Sequence, residues 1–168
     1  MDTFFEQIIT IRKKASAVLA VLGIWILALI ICAALLLYPL LGMLTGILVL
    51  GILYGAYKLS AKFNIEYEYI ITNGTFDVDK IINRSSRKRM LSIELGTVSR
   101  IEKYNPGLIN NVSKENLIFA CNDTDEAYLL VAEKEGKGAT YLVFAPDERL
   151  RGAIVKFIPK FIAYQAFK

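Results

Sequence analysis

The sequence predicts an α+β membrane protein: an N-terminal transmembrane helical hairpin, then a seven-stranded antiparallel sandwich or barrel closed by a C-terminal helix. Three observations carry this. From Ala15 to Tyr57 there is no Asp, Glu, Lys or Arg, and most positions are Leu, Ile, Val, Ala or Gly. After Phe63 the apolar period shortens from helical spacing to alternation, the mark of half-buried strands. Beyond Pro146 a helical stripe returns. A chain of 168 residues has room for one ordinary domain and a small appendage, and 55% hydrophobic residues exceeds what such a domain usually holds.

The first fourteen residues, "MDTFFEQIITIRKK", read as an interfacial helix. Thr3 and Glu6 have capping-box spacing, and Phe4, Phe5, Ile8 and Ile11 recur at helical intervals ahead of the basic end. The plainer alternative is that these residues extend the first span. A single helix from Ala15 to Tyr57 would rise about 65 Å, roughly twice the hydrocarbon core, so the stretch must fold back. Pro39 and Gly42 in "LYPLLG" mark the break. The expected spans are about 17–37 and 40–57, within a hairpin of residues 15–62. A cleaved signal peptide competes, since "RKK" precedes an apolar run, but the run is too long and a second span follows at once.

Arg12, Lys13 and Lys14 flank the first span and Lys58 and Lys62 the second, while the turn is uncharged. These five are the expected membrane-interface residues. Because Lys and Arg stay on the cytoplasmic side, both termini are expected inside a multi-pass protein of the cell membrane, with 63–168 as a cytoplasmic domain. The second span holds the small-residue pairs Gly42/Gly46 and Gly51/Gly55 on nearly opposite sides. One pair is suited to pack on the first span and the other to face a second protomer, a route to a homo-oligomer. Glycine is common in membrane helices in any case. The spans carry only Ser16, Thr45 and tyrosines as polar groups, which suits an anchor rather than a channel.

In the soluble part, "EYEYIIT" alternates and meets Asn73-Gly74, a strong hairpin signal. "TFDVDKII", "RMLSIEL" and "TVSRIEKY" follow as strands, then "NLIFAC", "AYLLVA" and "TYLVFA". "AYLLVA" is apolar on both faces and is expected to be covered on both. In the tail, Asp147 and Glu148 begin a helix whose stripe is Leu150, Ile154, Phe157 and Phe161, with Pro159 interrupting it near its end.

The chemistry is mostly exclusion. The chain has no histidine, the commonest general base and metal ligand. Cys32 and Cys121 have no framework or zinc spacing. Asp77 and Asp79 share a strand face but lack the further ligands of a cation site, and "NDTDE" lacks the glycine and distal Glu of a calcium loop. No catalytic residue, metal site or cofactor is expected. Residues 63–168 carry fifteen basic and fourteen acidic groups, which argues against a nucleic-acid partner.

"YEYIITNGTFDV", "INRSSRKRM" and "TVSRI" resemble the opening of bacterial PH-like domains attached to membrane helices. "FFEQIITIRKK" followed by a hairpin resembles a small family of uncharacterised Firmicute membrane proteins with that domain. The resemblance implies a bent sandwich with one end plugged by the C-terminal helix, and a binding or scaffolding role without catalysis. Eukaryotic phosphoinositide-binding relatives carry basic residues in a roomy first loop. Here the Asn73-Gly74 turn is tight and the basic residues lie one hairpin later, so that site does not transfer.

The basic residues are Arg84, Arg87, Lys88 and Arg89, between Ile82 and Leu95. Two readings stand. Near an anionic leaflet each contributes about 1 kcal/mol to lipid attraction; alternatively they form the solvated corner of a hairpin. Alternation places Arg89 with Leu91 and Ile93, so its stem is also suited to pack along the sheet. The expected function is a membrane-anchored PH-like module at the cytoplasmic face, contacting anionic lipid headgroups. The alternative is an interaction subunit that docks an unknown protein partner through a sheet edge or the C-terminal helix.

Overall fold

The computed structural model describes residues 3–37, 42–134 and 138–167. Its chain begins with a strand, β1 (Phe4–Thr10), not the expected interfacial helix. Phe5, Gln7 and Ile9 alternate with the more exposed Phe4, Glu6, Ile8 and Thr10. The helical spacing was coincidental, because Phe5 and Ile9 satisfy both periods. Two Phe, two Ile and a Thr in seven residues favour strand, and a helix this short is marginal alone. The capping box is not made either. The Thr3 backbone N–H donates to Asn73 Oδ1 at 3.0 Å.

Two helices follow, α1 (Ala15–Leu36) and α2 (Leu44–Ala61). At 1.5 Å per residue they are about 33 and 27 Å long, close to the thickness of a hydrocarbon core. Both are long and apolar enough to cross a membrane. α2 runs further than the expected span, enclosing Lys58 in its last turn. The Pro39 break lies outside the described residues. The helices meet through small side chains, Ala28 and Cys32 on α1 and Ala56 on α2, which are buried.

The seven stretches read as strands form β2 (Ile65–Thr72), β3 (Thr75–Ile82), β4 (Ser86–Glu94), β5 (Val98–Lys103), β6 (Leu117–Phe119), β7 (Tyr128–Lys134) and β8 (Gly138–Phe144). With β1 the described residues contain eight, in two four-stranded sheets ordered β1-β2-β3-β4 and β5-β7-β8-β6. One pairing departs from the all-antiparallel expectation: β6 runs parallel to β8, with Leu117 opposite Tyr141. The long connection after β5 carries the chain past β7 and β8 to the far edge, so β6 arrives in the same direction as β8.

β1 pairs antiparallel with β2 along its whole length, from Phe4 opposite Thr72 to Thr10 opposite Glu66. The two helices are therefore an insertion between the first two strands of one sheet. The compact units follow this division: one comprises Met1–Ile11, Glu66–Ile81 and Ser86–Lys168, and the other Arg12–Ile65 and Ile82–Ser85. The expected boundary at residue 14 separates β1 from the sheet that it completes. The Asn73-Gly74 turn has positive φ at both positions (50° and 94°), as a two-residue hairpin requires, but it joins the second and third strands.

The core lies between the sheets around Tyr69, Phe76 and Phe144, whose rings meet at centroid distances of 5.7–6.2 Å. Helix α3 (Glu148–Phe157) closes it with Leu150, Ala153 and Ile154. Asp147 caps this helix, accepting from the Leu150 N–H at 2.7 Å. Gln7 of β1 fixes the same corner, accepting from the Asp147 N–H at 2.9 Å and donating to Ala145 O at 3.2 Å. The helix ends at Ile158 and Pro159, and a last turn, α4 (Lys160–Ala163), follows. That break rotates the stripe: Ile158 and Ile162 are buried, and Phe161, expected inside, is 74% exposed. Phe157 does pack on the core. A Cβ on Gly74 would stand 3.2 Å from its ring. Strand β7 is covered on both sides as expected. Leu130 and Ala132 enter the main core, while Leu129 and Val131 meet a second cluster with Val143, beneath Tyr104, Leu108 and Ile109.

Candidate binding surface on the basic hairpin

The four basic residues occupy the tight turn after β3 and the start of β4. Asn83 and Arg84 both take positive φ (51° and 53°), so Arg84 sits in a backbone conformation that side chains usually avoid. Asn83 is held by its N–H donating to Asn64 O at 2.8 Å. From Ser86 to Met90 every residue is exposed on β4, the edge strand of its sheet.

Exposure does not mean that these charges are unmatched. The Arg87 guanidinium donates to Glu68 Oε1 at 3.0 Å and lies 2.9 Å from Oε2. Arg89 Nε donates to Asp79 Oδ1 at 2.8 Å, and its Nη1 is 2.8 Å from Asp77 Oδ2. The side chains of Glu68 and Asp79 are 2% and 3% exposed, that of Asp77 15%. Two arginines therefore close over three largely buried carboxylates on neighbouring strands. Half of the cluster serves the sheet, because a buried carboxylate without a partner is far more costly than a hairpin turn is valuable.

The electrostatics follow. Hydrogen bonding to Asp79, helped by the charges of Asp77 and Asp79, holds Arg89 protonated even more firmly than usual. Glu68 moves the other way. Burial raises its pKa, and the neighbouring Glu6 and Asp79 add to the rise, while Arg87 opposes it. Lys88 stays exposed beside this network. Sequence reading recognised the four cations but not Glu68 as the carboxylate under Arg87. The signal was present: Glu68 on β2 and Asp77 and Asp79 on β3 fall on the polar side of the two strands that precede the basic one.

The other sequence candidates separate. Arg12, Lys13 and Lys14 are exposed between β1 and α1, and Lys62 is exposed at the end of α2. Lys58 Nζ lies 5.6 Å from the centre of the Tyr54 ring. Asp77 and Asp79, considered for a cation, are engaged by Arg89. Asp123 of "NDTDE" accepts from the Asp125 N–H at 3.2 Å in a local turn. Among the described residues no three His, Cys, Asp or Glu side chains are grouped to hold a metal ion. Burial pushes the Cys121 thiol up, which disfavours the nucleophilic thiolate. Gly55 lines the space between α1 and α2 with Ala28 and Ala56, and a Cβ at Gly42, Gly46, Gly51 or Gly55 would meet nothing within 4 Å.

The chain matches the bacterial PH-like domain family DUF6106 over residues 1–163. No curated protein and no solved structure matches it. Domains of the PH-like class are generally non-catalytic binding or scaffolding modules.

Proposed function

The chain belongs to the bacterial PH-like domain family DUF6106, and from that premise we propose that it is a non-catalytic module anchored at the cytoplasmic face of the cell membrane by the α1–α2 hairpin. The observation that carries this is the insertion of two long apolar helices between paired strands. Their outward surfaces are apolar, with Leu19, Leu22, Ile26, Leu29 and Ile47 all more than half exposed, and a bilayer supplies the environment such surfaces need. The register of β1 with β2 requires both ends of the insertion on one side, which suits two spans. It also counts against a cleaved leader, since cleavage within α1 would detach β1 from its sheet. Arg12, Lys13, Lys14, Lys58 and Lys62 favour the cytoplasmic side.

The domain is then a platform whose ligand is bound from the membrane surface or from the cytoplasm. Lys88 is the cluster residue suited to an anionic headgroup, since Arg87 and Arg89 answer to carboxylates. A second reading, docking of a protein strand, is favoured by the open β4 edge, whose first five residues are exposed. Alkaline carbonate extraction of cell membranes tests the anchor. The full chain is expected to stay in the pellet. Release into the supernatant would contradict a spanning hairpin.

A further inference from the structure

The domain's basic character does not reside in the hairpin that first draws notice. From Arg149 to Lys168 the chain carries five basic residues and no acidic one, whereas Phe63–Glu148 carries ten basic and fourteen acidic. The described part of this segment, residues 149–167, holds most of α3, then α4 and the turn that follows it, and its charges divide by geometry. Arg151 is used internally, stacking its guanidinium 5.3 Å from the Tyr128 ring centre and donating to Pro146 O at 3.1 Å. Lys156 lies 5.7 Å from the Phe5 ring centre with its surface exposed, and Lys160 is exposed.

Between and beside these lysines stand two large aromatics. Phe161 is 74% exposed and Tyr164 77% exposed, one helical turn apart. They are not loose. Ile158 and Ile162 are buried at 6% and 5%, and with Ile162 packed inward Phe161 must point outward. A single exposed apolar side chain is ordinary, but a fixed pair of aromatics in a stretch of chain that holds lysines and no acidic residue is an interfacial composition. Aromatic rings with a polar edge settle at headgroup depth, and lysines meet lipid phosphates.

We propose that the outward surface of α3–α4, formed by Lys156, Lys160, Phe161 and Tyr164, is a lipid-contact surface that rests on an anionic leaflet. The proposal builds on the membrane-anchor reading, because tethering by α1 and α2 supplies the high effective concentration that a small patch needs. The occupant follows from charge: the acid-free segment complements a negative leaflet, while the rest of the domain, net acidic, is repelled by one. The contact therefore selects which side of the domain faces the bilayer.

The test uses the full chain in lipid nanodiscs, with Cys32 and Cys121 replaced by Ala and one cysteine introduced for an environment-sensitive fluorophore. Phe161→Cys reports the proposed contact, Leu27→Cys in α1 reports the anchor, and Asp123→Cys reports an exposed acidic loop. Nitroxide-labelled lipid is expected to quench the 161 probe several-fold more than the 123 probe in discs rich in phosphatidylglycerol. The difference is expected to shrink in zwitterionic discs, in 0.5 M salt as an order of magnitude for full screening, and in a Lys156→Gln/Lys160→Gln background with unchanged melting. Quenching at Leu27 without quenching at 161 would overturn this inference and leave the anchor standing. No quenching at Leu27 would overturn the anchor itself. Equal quenching of 161 in both lipids, insensitive to salt, would overturn the assignment to anionic lipid.

Discussion

Lys88 and Arg89 are neighbours in the chain with different work, and single replacements separate them. Arg89→Gln leaves the almost fully buried Asp79 without its charged donor, so the account predicts a loss on the order of 1–3 kcal/mol, the range for hydrogen bonds to charged groups, reduced by the solvent access of the arginine. Lys88→Gln changes only an exposed position and is expected to stay within about 0.5 kcal/mol. Calorimetric melting of the detergent-solubilised chain measures both. Glu68 gives a pH signature. Its folded pKa is raised above the ordinary 4.5, so the folded state holds its proton more tightly than the unfolded state. Its contribution is most favourable below that ordinary value and declines as pH rises through the raised one. Glu68→Gln is expected to remove this decline, so that parent and variant melting temperatures diverge in the variant's favour from about pH 4.5 upward; an unchanged or steeper decline would contradict it. At this scale the sequence was informative about which charges exist and silent about their pairing. Alternation assigns a side chain to a face, but Arg89 is long enough to reach Asp77 and Asp79 across the sheet. The network depends on strand neighbours that only the fold supplies.

The elements were legible where one period dominated. The alternating strands from Glu66 to Ala145, the apolar helices and the capped C-terminal helix were each specified by local chemistry: Asn73-Gly74 for the first turn, Asp147 for the helix start. β1 was not, because seven residues with apolar groups at positions 4, 5, 8 and 9 fit either period, and its partner β2 lies beyond the hairpin. Phe161 was misplaced for a related reason: the stripe was extended through Pro159, although the break there resets the helix phase. The β1 assignment has a direct consequence. Since Thr10 stands opposite Glu66, replacing residues 11–65 by Asn-Gly is expected to close an ordinary hairpin and yield a folded, water-soluble domain. A chain starting at Phe63, which lacks β1 and its packed Phe5 and Ile9, is expected to melt markedly lower or aggregate through the bare β2 edge. Equal stability of the two would remove β1 from the fold. For the closing helix, Ile154→Ala, at a fully buried position, is expected to cost about 2–5 kcal/mol, and Phe157→Ala less because its ring is partly exposed.

At the scale of the whole molecule, the chain is a PH-like domain whose first inter-strand connection is a pair of long apolar helices, the proposed membrane anchor. The connection between β1 and β2 is given to the hairpin, so the proposed binding surfaces lie elsewhere: the β3–β4 turn, the β4 edge and the basic aromatic surface of α3–α4. The sequence displayed the two apolar helices clearly because each holds a long uncharged run. It named no ligand, because a binding surface made of a few exposed side chains leaves no comparable pattern. The central claim is that both ends of the hairpin lie in the cytoplasm and the turn lies outside. It is tested most directly by impermeant maleimide labelling of intact cells, with Cys32 and Cys121 replaced by Ala. Cysteine at Met43, which is 94% exposed beside the turn, is predicted to react at once, while cysteine at Glu6 in β1 or Ser113 in the domain reacts only after permeabilisation. Labelling of positions 6 and 113 in intact cells with protection of position 43 would contradict the account.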